Sequence, residues 1–498
     1  MKATMITAKV SPQETAYFPA WEKSELPPAP VFRMRQWTML IGPGVMMAGA
    51  NIGGGEWLLG PVVTARYGGQ IMWLATVAIL MQVFYNLAVM RYALYSGESI
   101  FVGFLRTWPG PRFWTPFYLL LDLGAYWPFL SANAAVALAA VILHQLPTAQ
   151  NDPLVRSLSY GIFLTAFVPL IFGGKIYNSL ERVMTAKLLL VLGYLSFIVV
   201  FWVGWETKLE IFSGLFRFGA LPPGDFSWAT LAAFAAIAGA GGLTNASFSN
   251  YARDKGWGMG SKVGAIPSAI GGKNIKLSHV GKVFDVADST LGKWRNWLGH
   301  ILRDQLLLWA PACLIGVALP AMVSYEFIRG VRNIEGNAAA AMTASAISAR
   351  HGEIFWFLTL LCGFVVLFPS QISVLDSISR RWTDVIWMGV KRLHHLEGNR
   401  VKYVYYLLLM SYGLWGLLAL RLTPNPLVMA VASGMLLNLG LGFSALHVLY
   451  VDLVLLPRQL RPPWLMRIGL ICCSMFYTGI SCIAFRQQWP SISAWLGI

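Results

Sequence analysis

Residues 51 to 56 read Asn-Ile-Gly-Gly-Gly-Glu, in the middle of an apolar segment that runs from about residue 39 to residue 67. Three consecutive glycines cannot hold a helix in hydrocarbon, because each gives up roughly 1 kcal/mol of helix propensity and lipid offers no partner for the freed peptide groups. We therefore expect a broken membrane helix whose break faces a cavity or a bound solute. Glu56 adds an ionisable group there, so this stretch is the candidate binding site.

The composition indicates that lipid is the solvent for most of the chain. Of 498 residues, 56% are hydrophobic and only 12% are charged. These values predict an all-α polytopic membrane protein in contact with the lipid bilayer. The net charge of +16 could indicate a nucleic-acid partner. Basic residues beside apolar spans more often set topology or meet anionic lipid head groups, so we expect no nucleic-acid binding.

About eleven apolar stretches are long enough to cross a bilayer. Their approximate limits are residues 38–66, 70–95, 114–144, 155–174, 183–205, 227–252, 297–323, 354–379, 403–421, 426–455 and 464–485. If the N-terminus is cytosolic, the loops on that side carry about 28 of the 38 Lys and Arg residues. The positive-inside rule therefore makes residues 1–37 a cytosolic tail, and an odd number of spans places Ile498 outside.

The sixth span contains a second interruption, which reads Gly239-Ala240-Gly241-Gly242-Leu243-Thr244-Asn245. Glycine breaks in the first and sixth spans are expected of two five-span repeats of inverted topology, whose broken helices meet near the midplane. We expect residues 38–205 and 206–455 to form these repeats, with 253–296 as a basic cytosolic loop and 456–498 as an extra C-terminal span. The alternative is that these small residues only let helices pack closely.

Several short motifs appear in a characteristic order. They are Gly42-Pro43-Gly44 and Gly53 to Glu56 in span 1, Arg91 and Ser96-Gly97-Glu98 in span 2, Leu121-Asp122-Leu123 in span 3, and Ser370-Gln371-Ile372-Ser373 in span 8. Their order and spacing over residues 38–455 resemble a divergent branch of the Nramp family of proton-coupled divalent-metal transporters. The resemblance implies a LeuT-like fold and a secondary transporter that works by alternating access.

The departures from the family pattern change the expected cation site. Gly53 stands where the family has its metal-ligating Asp, and Glu56 stands where it has Asn. Leu243, Thr244 and Asn245 replace the family's Met-Pro-His, which removes a soft thioether ligand and a histidine. Carboxylate, amide and carbonyl oxygens suit hard cations. If the substrate is a metal ion, these departures predict an oxygen-only site, such as one for a partly hydrated Mg²⁺ or Mn²⁺ ion.

The candidate substrate site combines both breaks with one glutamine: Asn51, Gly53, Gly54, Gly55, Glu56, Gly239, Gly241, Gly242, Leu243, Thr244, Asn245 and Gln371. Glu56 and Asn245 would ligate the metal, and Glu56 with Asp122 would relay protons. Structural alternatives stay open for each of them. Glu56 could reach external water, and Asp122 could anchor a neighbouring backbone amide. Asn51 and Asn245 could cap half-helices, and Gln371 could make an interhelical hydrogen bond.

Two functions on this fold stay open from the sequence. The first is proton-coupled transport of a divalent metal cation. The second is transport of an amino acid or another small organic solute, because half-helix N-termini can bind a carboxylate. A third alternative is a sensor that does not transport. We expect no enzymatic activity, since neither a His-Glu-x-x-His motif nor a nucleophile elbow is present. We also expect no cofactor, and a monomer in a bacterial inner membrane.

Overall fold

The computed structural model describes residues 18–31, 42–53, 57, 59–171, 176–266, 276–330, 341–398, 400–422 and 426–496. Helices make up most of this part of the chain. Those of the first half are α1 (Pro43–Asn51), α2 (Gly60–Tyr67), α3 (Trp73–Ser96), α4 (Ile100–Arg106), α5 (Pro111–Leu121), α6 (Phe129–Leu143), α7 (Asp152–Thr165), α8 (Val168–Ile171), α9 (Ile176–Trp202) and α10 (Trp205–Gly214). Those of the second half are α11 (Trp228–Ile237), α12 (Ser247–Lys255), α13 (Gly260–Val263), α14 (Asp288–Arg303), α15 (Ala310–Ile328), α16 (Met342–His351), α17 (Ile354–Gly389), α18 (Val401–Leu422), α19 (Pro426–Leu455) and α20 (Trp464–Leu496).

The helices account for every predicted span. Nine helical segments within the described residues are long and apolar enough to cross a membrane, and the bent pair α11 and α12 makes a tenth. The remaining span is the first one, whose two halves α1 and α2 are nine and eight residues long. The prediction of an all-α polytopic membrane protein is confirmed.

The first span is broken where its glycines predict a break. α1 ends at Asn51, and Ile52 leaves the helical backbone with a ψ of 90°. An uninterrupted helix resumes at Gly60. Three of the predicted site residues, Gly54, Gly55 and Glu56, lie outside the described residues.

The sixth span is broken as well. α11 ends at Ile237, and the chain then turns through Gly239 and Gly241, whose φ angles are 93° and 71°. Such left-handed backbone is accessible to glycine without a steric penalty. Helix resumes as α12 at Ser247, bent by 54° from the preceding segment. The second predicted break is therefore confirmed.

The third span, predicted over residues 114–144, is not one continuous helix. α5 ends at Leu121, a 3₁₀ turn covers Leu123–Tyr126, and α6 begins only at Phe129. Pro128, directly before α6, explains the interruption, because proline has no backbone N–H to donate and its ring clashes with the preceding helical turn. This third break places Ala125 and Phe129 in the same cavity lining as residues of the other two breaks.

Two helices of the second half are longer than predicted. α17 has 36 residues and runs to Gly389, which is about 54 Å of helix against a hydrocarbon core of about 30 Å. α14 begins at Asp288 and continues through a π-helical turn, Asp304–Trp309, into α15. Since α12 extends to Lys255, the basic loop predicted over residues 253–296 is shorter at both ends.

Part of the N-terminal tail packs against the loop that follows span 6. Strand β1 (Glu22–Lys23) pairs in parallel with β2 (Lys282–Val283). Trp297 Nε1 donates a hydrogen bond to the carbonyl oxygen of Pro27 at 2.8 Å, and Leu26 is fully buried. Residues 18–31 thus form a strap across one end of the helix bundle, the end that the distribution of Lys and Arg predicts to be cytosolic.

Candidate functional site between the broken helices

A cavity of about 70 Å³ lies between the first and sixth spans at their breaks. Spans 1, 3, 6, 8 and 10 contribute its lining: Ala50, Asn51, Ala125, Phe129, Leu130, Ile237, Gly239, Ala240, Thr244, Ser370, Ser373, Val374, Ser433 and Leu437. One water needs roughly 10–15 Å³ of such space, so the cavity holds a few waters or one partly hydrated ion. A larger solute would require the helices to separate.

On the side of span 1, the site is built around Ser370 of α17. The Ser370 hydroxyl donates a hydrogen bond to the carbonyl oxygen of Ala50 at 2.7 Å, which satisfies one acceptor at the end of α1. A Cβ atom added at Gly53 would lie 2.8 Å from Ser370 Oγ. An aspartate, the residue that the Nramp family has at this position, would therefore require the Ser370 side chain to move. Asn51 lines the cavity beside them.

A buried lysine that was not among the predicted site residues lies next to this break. Lys187 of α9 is 2% exposed, and its Nζ donates to the hydroxyl of Ser370. An ammonium ion at membrane depth is costly and usually functional. Its only sequence signal is that it is a lone charge within the apolar span 183–205. One hydroxyl group separates this positive charge from the cavity.

On the side of span 6, the break is held by Gln82 of α3. Its Nε2 donates to the carbonyl oxygen of Ala238 at 2.8 Å, and its Oε1 accepts from the N–H of Ala240 at 2.8 Å. A Cβ atom at Gly239 would lie 2.5 Å from Gln82 Oε1. The amide side chain therefore replaces the helical hydrogen bonds that the glycines give up. Sequence reasoning missed Gln82, although a buried glutamine within an apolar span is a signal for such a role.

The other predicted residues of span 6 divide into three environments. Thr244 lines the cavity, whereas Leu243 is 1% exposed and packs towards α19. Gly242 approaches Leu437 so closely that a Cβ atom would lie 2.5 Å from that side chain. Asn245 is fully buried and donates to the carbonyl oxygen of Gly242 at 3.3 Å. Its Oδ1 has no hydrogen-bond partner within the described part of the chain.

Gln371 and Asp122 do not line the cavity. Gln371 Oε1 accepts a hydrogen bond from the backbone N–H of Ser131 at 3.3 Å, so this side chain joins α17 to α6. Asp122 is 2% exposed and forms a bidentate ion pair with Arg381, at 2.6 and 3.0 Å. It also accepts from Trp382 Nε1 at 2.8 Å. Asp122 therefore joins the third break to α17.

A second buried ion-pair group lies at the C-terminal end of α12. Arg253 donates to Asp254 at 2.8 Å and to Asp384 at 2.9 Å. Arg380 pairs with Asp254 and with Asp376, the latter at 2.8 Å. All five side chains are 3% exposed or less. We call these five residues the α12–α17 ion-pair cluster; it joins α12, the second half of span 6, to the extension of α17.

Hydroxyl, amide and backbone carbonyl oxygens are the polar groups available at the cavity. Ser370, Ser373, Ser433 and Thr244 supply hydroxyls, and Asn51 supplies an amide. No group of three or more His, Cys, Asp or Glu side chains able to hold a metal occurs in the residues that the structure describes. These ligands suit a hard cation that keeps part of its hydration shell. Glu56, the expected carboxylate ligand, lies outside the described residues.

No family model matches the chain, and no curated protein matches it. Solved structures do. Two structures of variants of the Eremococcus coleocola manganese transporter have TM-scores of 0.63 and 0.62, at 13% sequence identity, over 94% of this chain and 90% of that one. The same transporter in complex with an aromatic bis-isothiourea substituted compound gives a TM-score of 0.56, over 93% of this chain and 89% of that one. At this level of identity the likeness concerns the fold, and the chain has the fold that its resemblance to the Nramp family predicted.

Proposed function

We propose that the chain is a secondary transporter of a divalent metal cation, by alternating access around the cavity between the two breaks. The observation that carries this proposal is the juxtaposition of two broken helices around a cavity whose polar side chains offer only hydroxyl and amide groups. It occurs in a fold shared over 94% of the chain with a transporter of manganese. We place the protein in a bacterial inner membrane, as a monomer. Its N-terminus is cytosolic and its C-terminus is external.

The cation is Mg²⁺ or Mn²⁺ with part of its hydration shell. Asn51 and the hydroxyls of Ser370 and Thr244 lie where they can bind its waters. Glu56 supplies the carboxylate and exchanges the proton, and the buried Asn245 Oδ1 is a further oxygen ligand. Because all of these ligands are oxygen atoms and none is a thioether, the site does not select soft metals such as Cu⁺ over hard cations.

Access from the cytosolic side requires the α12–α17 ion-pair cluster to separate. The cluster and the Asp122–Arg381 pair tie α17 to both span 6 and span 3. Buried ion pairs of this kind are either formed or fully separated and solvated, so the barrier that they make has two discrete states. The paired arrangement seen here corresponds to a carrier closed towards the cytosol.

A specific observation favours a second candidate, transport of a solute that carries a carboxylate. The Lys187 ammonium lies one hydroxyl from the cavity, and in a medium of low dielectric it repels a divalent cation but attracts a carboxylate. For the metal carrier, Lys187→Met removes a repulsion and leaves uptake equal or higher. For a carboxylate carrier the same change abolishes uptake, and Lys187→Arg, which keeps the charge, retains more of it.

Counterflow in liposomes tests the proposal. The purified full chain is reconstituted with unlabelled Mn²⁺ or Mg²⁺ inside, and entry of labelled metal is followed. Entry accelerated by internal metal supports the cation carrier. Counterflow seen only with amino acids would instead support the second candidate, and absence of counterflow with every solute would leave the sensor as the better account.

A further inference from the structure

A second and larger cavity, of about 450 Å³, lies outside the transport site. It is formed where α14 meets the C-terminal half of α3 and the turn between α19 and α20. Its polar lining consists of Arg91, Arg295, Arg461 and Gln459, with Trp294 as an aromatic wall. Three guanidinium groups and no carboxylate among its lining residues make it a cavity for an anion.

Arg91 is the buried member of this group. It is 6% exposed, lies 5.6 Å from the ring centre of Trp294, and donates one terminal N–H to the carbonyl oxygen of Leu460. Its Nε has no hydrogen-bond partner within the described residues. Asp452 is the opposite charge that interacts with Arg91, and one carboxylate against three arginines still leaves a positive excess. A buried guanidinium N–H without an acceptor is costly, and an anionic oxygen in the cavity would satisfy it.

The cavity opens at the level of the lipid head groups. Pro463 lines it, and the next residue, Trp464, begins α20 with 71% of its surface exposed. Leu465 and Ile468 follow, 57% and 49% exposed, on a surface suited to acyl chains. Tryptophan at the start of a membrane helix is typical of the interface between hydrocarbon and water. Arg295 is exposed at the rim of the cavity.

We infer that this cavity binds a phosphate group, supplied by an anionic phospholipid of the leaflet that faces the strap. Arg91 and Arg461 hold the phosphate oxygens inside, Arg295 contributes charge at the rim, and the acyl chains run along the exposed apolar face of α20. Basic cavities between membrane helices on the cytosolic side recognise anionic head groups through this chemistry. The inference does not depend on which solute the protein transports.

Native mass spectrometry of the full chain in detergent tests the inference, with phosphatidylglycerol compared against phosphatidylcholine. We expect selective retention of phosphatidylglycerol, and about thirtyfold weaker retention in Arg295→Ala/Arg461→Ala, since each arginine near a membrane surface contributes roughly a fivefold factor. The single variant Arg295→Ala, at an exposed position, should lose about fivefold. The matched control is Lys391→Ala/Arg392→Ala, which removes the same charge from exposed positions just beyond α17.

A second arm separates the lipid from a soluble source of phosphate. The melting temperature of the delipidated protein is measured with inorganic phosphate and with chloride at equal ionic strength. Stabilisation by phosphate that is lost in Arg295→Ala/Arg461→Ala, without selectivity for phosphatidylglycerol, would keep the anion site but reject the lipid as its ligand. Equal lipid retention by wild type, both arginine variants and the control would overturn the inference.

Discussion

Asp122 shows how far a single residue can be interpreted from its type and place. A carboxylate within an apolar span suggested a proton relay, with anchoring as the alternative. In the structure its two oxygens accept from Arg381 at 2.6 and 3.0 Å, and one also accepts from Trp382. Three charge-assisted hydrogen bonds to one carboxylate hold α17 against the turn that follows α5. The geometry favours the anchoring role.

We predict that Asp122→Asn destabilises the protein by about 3 kcal/mol, because the change leaves the buried charge of Arg381 unpaired. The measurement is the free energy of unfolding in detergent, followed by denaturation. Asp122→Asn/Arg381→Gln should recover part of the loss, since no buried charge remains. Asp225→Asn, at an exposed position, is the control. Unchanged stability together with a lost pH dependence of uptake would contradict the anchoring role.

Residue identity alone located the breaks but not the groups that support them. Both breaks could be located from the sequence because clustered glycines within an apolar span are incompatible with a continuous membrane helix. Gln82 and Lys187 are not, because their roles depend on contacts with Ala238 and Ser370, which are 156 and 183 residues distant along the chain. The rule that an ionisable or amide side chain within a span marks a site would have found both residues, but not their partners.

At the scale of one element, the break in span 6 depends on Gly239. Its φ of 93° and the nearby Gln82 Oε1 exclude a larger residue. We predict that Gly239→Ala costs about 1–3 kcal/mol of stability, from backbone strain together with the loss of the Gln82 hydrogen bonds. Thermal denaturation in detergent measures this cost.

The matched control for that change is Gly161→Ala. Gly161 lies within α7, has an ordinary helical backbone and has no heavy atom within 4 Å of a Cβ placed there. Gly161→Ala should leave the stability of the protein unchanged or slightly higher, because alanine is a better helix former than glycine. Equal effects of the two substitutions would show that the break does not require glycine.

Hydropathy predicted well which segments are membrane helices, but it did not predict the interruption within span 3 or the end of α17. The interruption of span 3 was missed because the residues around Pro128 are apolar, and hydropathy cannot distinguish a helix from a turn of the same composition. The end of α17 was placed too early because charges were interpreted as the edge of the membrane. In the structure Asp376 and Arg380 are an i, i+4 ion pair within one helix, fully buried.

At the scale of the whole molecule, the α12–α17 ion-pair cluster joins two halves of the bundle that alternating access would separate. We predict that Arg253→Gln loosens this joint, because Asp254 and Asp384 each lose a partner. Hydrogen exchange measures the effect: backbone amides of α12 should exchange at least tenfold faster, as expected for a loss of about 1.4 kcal/mol or more.

The control for this prediction is Arg392→Gln, which removes the same charge from an exposed position just beyond α17. Its exchange pattern in α12 should match that of the wild type. If α12 exchanges no faster in Arg253→Gln than in this control, the cluster does not hold the cytosolic side closed.

The assignment of that side to the cytosol rests on the distribution of Lys and Arg. The division into two repeats at residues 205 and 206 stays a prediction.

The central claim is that the breaks in spans 1 and 6 bind a divalent cation through oxygen ligands, with Glu56 as the carboxylate. Uptake of Mg²⁺, Mn²⁺, Ca²⁺ and a mixed amino-acid pool into proteoliposomes, compared between wild type and Glu56→Gln, tests it most directly. Glu206→Gln, at an exposed position of α10, is the control. We predict uptake of Mg²⁺ or Mn²⁺ that falls at least tenfold in Glu56→Gln and persists in Glu206→Gln. Uptake of amino acids instead, or cation flux indifferent to Glu56, would contradict the claim.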